Sequence, residues 1–158
     1  MSETAQENNQ PVSNQPVFNI EKIYIKDLSL EIPHAPHIFL ERENPQIDVQ
    51  LNTKAAAIEG DVYEVMITNT VTAKVGEKVM FLIEAKQAGI FRLSNLPSED
   101  MELALAVMCP NILFPYLREA VSDVAVRAGF APVLLNPVNF DVFYQQHKQE
   151  QATAPTAH

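Results

Sequence analysis

The chain has 158 residues, is 47% hydrophobic and carries a formal net charge of -9, which suits one compact domain with its own core. That charge opposes nucleic-acid binding, where affinity comes largely from Lys and Arg displacing counterions, and favours a partner carrying basic segments. The segment Met1 to Val17 is rich in Gln, Asn, Ser and Glu, with no basic start and no apolar run. It lacks the pattern of a secretory leader, so a cytoplasmic location is expected. No stretch reaches the ~20 consecutive apolar residues of a bilayer-spanning helix, so none is expected to cross a membrane. The one cysteine, Cys109, has no disulfide partner in the chain and reads as a small apolar structural residue.

From Phe18 to Glu31 the chain alternates, with Phe18, Ile20, Tyr24, Leu28 and Leu30 on one parity and Glu21, Asp27, Ser29 and Glu31 on the other. Period two predicts a strand. Ile23 and Ile25 break the polar parity, which predicts a second contact surface on the same strand. Pro33, Pro36 and Pro45 then forbid regular pairing and predict a long extended crossover. Gln46 to Lys54 alternates cleanly, with Ile47, Val49, Leu51 and Thr53 inward. Val62 to Val75 is a β-branched strand, and Val75-Gly76-Glu77 turns it into Lys78 to Gln87, where Val79, Phe81, Ile83 and Ala85 share a face.

After Pro97 the character changes. Ser98-Glu99-Asp100 reads as a helix start, leading through Met101 to Met108, and Pro110 is placed to open a second helix reaching about Ala128, with Gly129 ending it. A last helix is predicted from near Asn136-Pro137, carrying Phe140, Phe143 and Tyr144. Strands first and helices after is the α+β class. The expected division is a disordered segment 1–17, a folded domain 18–147 and a disordered tail 148–158.

The chemistry of catalysis is sparse. Four widely spaced glycines (Gly60, Gly76, Gly89, Gly129) build neither a P-loop nor a dinucleotide fingerprint. His34 and His37 flank Ala35-Pro36, but no second Cys or His pair completes a tetrahedral metal site. Serine lacks the G-x-S-x-G context. No enzyme activity, metal or cofactor is expected. Two sets of residues remain open to more than one reading. Asp27 with Glu31, and Leu82 with Glu84, share strand faces; they are either ordinary surface or a mixed acidic and apolar patch that receives a basic and apolar partner. Phe39, Phe140, Phe143 and Tyr144 lie outside the central strands. They either cover the sheet as core or line an apolar groove able to take many unfolded segments; for Phe39, in a Pro-rich loop, exposure is expected.

At this point the chain closely resembles the SecB family. The likeness is carried by Tyr24-Ile-Lys-Asp-Leu-Ser-Leu-Glu31, Pro33-His-Ala-Pro-His37, Asp61-Val-Tyr-Glu-Val65, Cys109-Pro-Asn-Ile-Leu-Phe-Pro-Tyr116 and Pro137-Val-Asn-Phe-Asp141, in order. It implies a four-stranded antiparallel sheet with C-terminal helices packed on one side, assembled as a dimer of dimers, a homotetramer. It implies an ATP-independent holdase that binds unfolded precursor proteins in the cytoplasm and delivers them to the SecA ATPase. In that family SecA's zinc-bearing tail docks on the acidic sheet face, so the likeness assigns SecA binding to Asp27, Glu31, Leu82 and Glu84 and leaves the zinc to the partner. It places Phe39, Ile47, Val49, Leu51, Phe140, Phe143 and Tyr144 near the client groove, and Ile83, Tyr116 and Val126 at subunit contacts. One departure is Glu41-Arg-Glu-Asn-Pro45, where members often carry Trp and this chain has none. The other readings are a SecB-like chaperone dedicated to one client or apolar ligand, and a hydrolase or isomerase using scattered carboxylates with His34 or His37.

Overall fold

The computed structural model describes residues 14–153; the expectations for 1–13 and 154–158 lie outside the described residues. Four strands, β1 (Val17–Glu31), β2 (Gln46–Glu59), β3 (Val62–Val75) and β4 (Lys78–Ser94), form one antiparallel sheet in the order β1-β4-β3-β2. β3 has the bounds its β-branched alternation predicts, and Gly76 takes φ 59° in the turn to β4, a left-handed conformation that glycine adopts without Cβ strain. β2 and β4 run on past their predicted ends.

Directly opposed residues in an antiparallel pair point to the same face, so the register sorts every side chain. The inner face carries Val65, Ile67, Val71 and Ala73 of β3 and Phe81, Ile83, Ala85, Phe91 and Leu93 of β4, all buried. On β1, register shifts between Ile20 and Lys22 and between Ile25 and Asp27 insert extra residues that change the parity. Phe18, Ile20, Ile23, Ile25, Leu28 and Leu30 therefore all fall opposite inner-face residues of β4. The second contact surface expected from Ile23 and Ile25 does not form; two bulges bring both parities to one side.

The first part of the crossover, to Leu40, is not extended, and only residues 41–45 run as irregular chain. Ala35 N–H bonds to the Ile32 carbonyl, Ile38 to His34 and Glu41 to Ile38, and His37–Leu40 makes one 3-10 turn that buries Ile38. Pro33 and Pro36 are met by tight turns, whereas Pro45 lies in irregular chain leading into β2.

The two predicted helices are one continuous run. α1 (Ser98–Leu103) passes through a π turn (Ala104–Met108) into α2 (Cys109–Arg127). Ser98 is the first helical residue and no side chain caps the start. The π turn ends at Met108, two residues before Pro110, whose missing N–H and bulky ring disturb regular i to i-4 bonding, and a wider turn absorbs that disturbance. By length and composition alone the run Ser98–Arg127 is long and apolar enough to reach across a bilayer, a property that the core helix of a folded domain shares. One side of it is protein core: Cys109, Leu113, Leu117, Val121 and Ala125 are buried beneath the sheet.

Gly129, φ 92°, ends the helix, and a Cβ there would lie 3.2 Å from the Phe39 ring. The chain then crosses the core as an extended strap with Val133 and Leu135 buried and Leu134 exposed. α3 (Phe140–Thr153) begins after the strap rather than at Asn136, because Asn139 Oδ1 accepts from the Val142 N–H and caps it. It continues to Thr153, so residues 148–153, expected without structure, are helical.

Candidate functional site

The two faces of the sheet differ in chemistry. On the outer face, Glu31 stands opposite Leu82, Ser29 opposite Glu84 and Asp27 opposite Lys86. The four residues Asp27, Glu31, Leu82 and Glu84, read from two separate segments, are thus brought side by side on neighbouring strands. Thr72 and Thr70 continue their rows on β3. The result is an open acidic patch with a half-buried leucine among hydroxyl groups.

The other end of this face is internally neutralised. Tyr24 donates its hydroxyl hydrogen bond to the Glu64 carboxylate, and Lys26 Nζ reaches Glu64 Oε1 at 2.9 Å. Arg92 Nε pairs with Glu21 Oε1 at 2.7 Å. Burial pushes the Tyr24 phenol up to about 12, with the bond to Glu64 acting in the same direction. Glu64 is lowered, first by the Tyr24 hydroxyl and then by Lys26. These acids have committed cations or donors, whereas Glu31 and Glu84 face an apolar side chain and a hydroxyl.

The inner face opens along the edge strand β2. One cleft of about 450 Å³ is lined by Ile47, Val49 and Leu51 from β2, Asn69 from β3, Phe114 from α2 and the strap Pro132 to Val138. A second, of about 440 Å³, lies further along β2 against Phe143, Tyr144, His147, Glu102 and Leu105. The Phe140 ring packs edge-on against Phe114 at 5.8 Å and against Phe143 at 6.3 Å, linking a wall of each cleft. Phe39, half exposed, stacks on Phe130 at 5.2 Å, and Phe130 in turn meets Phe81 at 4.8 Å.

Five of the seven expected groove residues thus line the clefts and Phe39 lies where the strap begins, but Phe140 is 1% exposed and belongs to the core. Its ring is enclosed by Phe114 and Phe143 and offers no surface to a client. Ile83 is likewise corrected: at 0% exposure on the inner face it is covered by its own chain and cannot meet a second subunit. Tyr116 and Val126 do lie on the exposed side of α2, within about 80° of arc at 100° per residue, and Met108, at the end of the π turn before it, is exposed as well.

The sequence reading missed the strap and its clamp. Arg118 Nε donates to the Leu135 carbonyl at 2.7 Å while its guanidinium lies 5.0 Å from the centre of the Phe114 ring, tying the cleft's outer wall to α2. The available signal was Pro132-Val-Leu-Leu-Asn-Pro137, an apolar triplet bracketed by prolines that cannot join a helix. His34 and His37 border a small polar hollow with Glu41 and Lys78, and no group of three metal-binding side chains occurs among the described residues. Cys109 is buried, and burial pushes its thiol up to about 12, as expected of an inert core residue.

Comparison with known proteins gives this geometry its family. Residues 11–151 match the family model described as preprotein translocase subunit SecB. The chain is 63% identical over 142 residues to the protein-export protein SecB of Nitrosomonas eutropha, covering 89% of each. It is 62% identical over 143 residues to that of Dechloromonas aromatica, covering 90% of this chain and 94% of the relative. Among solved structures, a SecB-like chaperone of Mycobacterium tuberculosis in complex with a peptide from an antitoxin has the same fold, with TM-score 0.64 at 17% identity over 77% of this chain and 90% of that one. With its order of strands and helices, its two-faced sheet and these matches along most of its length, the chain belongs to the SecB family of protein-export chaperones.

Proposed function

We propose that this chain is a cytoplasmic, ATP-independent holdase that keeps unfolded precursor proteins competent for translocation and passes them to the SecA ATPase. The observation that carries the reading is the division of labour across one sheet: apolar clefts on the inner face, an acidic patch on the outer. A client bound along β2 leaves Asp27, Glu31, Leu82 and Glu84 open to SecA, so holding and handover are compatible in one complex. Phe39, Ile47, Val49, Leu51, Phe143 and Tyr144 form the client surface. Their apolar burial is non-directional and accepts varied sequences.

The working assembly is a dimer of dimers. It is supported by apolar side chains that the single chain leaves uncovered: Ile20, Ile25, Leu28 and Leu30 on the inner face of β1, Met108 at the end of the π turn, and Tyr116 and Val126 on α2. Such extended apolar surface marks an interface. Tyr116 and Val126 are the interface residues retained; no cofactor or metal is assigned to the chain.

Val49→Asp tests the client surface. Val49 is 48% exposed on the cleft wall, so the substitution is tolerated by the free protein but buries a charge beneath a bound segment. Affinity for a chemically unfolded precursor, measured by fluorescence anisotropy, falls roughly tenfold or more, with SecA binding unchanged. Undiminished precursor affinity contradicts this placement of the client.

A further inference from the structure

The inner face of β3 reads Val65, Ile67, Asn69, Val71, Ala73, and its one polar member is fully buried. Asn69 stands opposite Leu51 and lines the apolar cleft with Val49, Phe114 and Leu135. Its Nδ2 donates to the Gln50 carbonyl at 2.9 Å, which fixes the orientation of the amide and leaves Oδ1 as the free end. That Oδ1 is buried without a partner among the described residues. An unpaired buried acceptor is a standing cost to the fold, and native structures carry few of them. A valine or leucine here would continue the row without that cost.

We propose that, when a client segment enters this cleft and parts the strap from β2, Asn69 Oδ1, enclosed in the empty cleft, accepts a hydrogen bond from a backbone N–H of that segment. The inference rests on the reading of this cleft as client surface and adds a selectivity to it. Apolar walls alone fix neither the register nor the direction of a bound chain; a single polar acceptor between them supplies orientation. The backbone N–H is the one donor nearly every unfolded client carries, so a chaperone that reads it gains anchorage without restricting side chains. Proline, lacking that donor, is disfavoured at the anchored position and is the cleft's expected exclusion.

The test uses an unstructured, proline-free peptide rich in Leu, Phe and Lys, and a series in which each backbone amide in turn is replaced by an ester. The ester deletes the N–H while nearly preserving shape. Calorimetry on the full-length protein gives the affinities. At least one ester binds about tenfold more weakly than the parent, since a buried acceptor is then left unpaired, and that difference disappears in Asn69→Leu. Asn69→Thr, whose hydroxyl sits on a shorter side chain, is expected to lose the same discrimination and serves if the leucine variant does not fold. Equal affinity of all esters, or discrimination that survives substitution of Asn69, overturns the inference. Val49→Asp separates the two readings. If it leaves affinity for the parent peptide unchanged, the cleft is not the client surface; if it weakens that affinity while the ester series is flat, only the role of Asn69 fails.

Discussion

Replacing Asp27 and Glu31 together by lysine is expected to weaken SecA binding by roughly 100-fold, while holding of unfolded precursors continues. Both carboxylates lie on the open outer face, flanking Ser29 on β1 and facing Lys86 and Leu82 on β4. A charge-assisted hydrogen bond contributes about 1.5–3 kcal/mol. Two such bonds lost, with repulsion of a basic partner added and partial screening by salt allowed for, amount to about two decades of affinity. Association is also expected to slow and to lose much of its salt dependence, because the two substitutions reverse the sign of this patch. Client holding survives because the clefts open on the opposite face. Calorimetry with SecA at fixed ionic strength reads the first result, and precursor binding by the same variant reads the second. Unchanged SecA affinity removes the site from this face; simultaneous loss of client binding by a folded variant contradicts the separation of the two faces.

Phe91→Ala has the largest expected effect on stability, about 4 kcal/mol. Phe91 is 0% exposed on the inner face of β4, and its ring meets that of Phe18 at 6.0 Å. The packing around it leaves no slack: a Cβ on Gly89 would lie 2.8 Å from the Phe91 ring, 2.9 Å from Leu113 and 3.1 Å from the Lys22 carbonyl. β1, β4 and α2 converge at this point, so removal of the ring opens a cavity that no neighbouring strand can close by a small shift. The midpoint of thermal unfolding falls by roughly 10 °C, compared at one protein concentration because assembly contributes to apparent stability. A loss below about 1 kcal/mol in denaturant unfolding contradicts this account of the core.

What could be read from the sequence was what depends on local pattern. β3 alternates without interruption, and the β3–β4 turn has glycine where φ is positive, so this hairpin matches its prediction at every turn residue. The alternation of β1 misleads in one respect for a physical reason: a bulge shifts parity without leaving a mark in composition, and two of them turn an apparent second surface into one row. Pro110 looks like a helix start in the sequence, because sequence alone does not distinguish an N-terminal proline from one tolerated after a π turn. The strap carries too few residues for either periodicity to register, although it walls the cleft.

The sites divide similarly. Asp27, Glu31, Leu82 and Glu84 came from two segments whose adjacency depends on register, and the β1–β4 pairing sets them side by side. Phe140 was open between core and groove, and its burial between Phe114 and Phe143 decides for the core. Ile83 already shared a face with Phe81 and Ala85 in the sequence. That internal face, rather than a subunit contact, is where the structure puts it. Asn69 was invisible as a site because an asparagine in a strand is unremarkable until its partners are counted.

A SecB-family chain of this kind is expected to hold unfolded precursors unaided. The most direct test is suppression of aggregation of a chemically unfolded, signal-bearing precursor without nucleotide, with the mass of the free protein taken in parallel by light scattering. Suppression near one assembly per precursor, by a protein of tetramer mass, is expected. Aggregation that proceeds unchanged across several precursors, or a protein that stays monomeric, would contradict it.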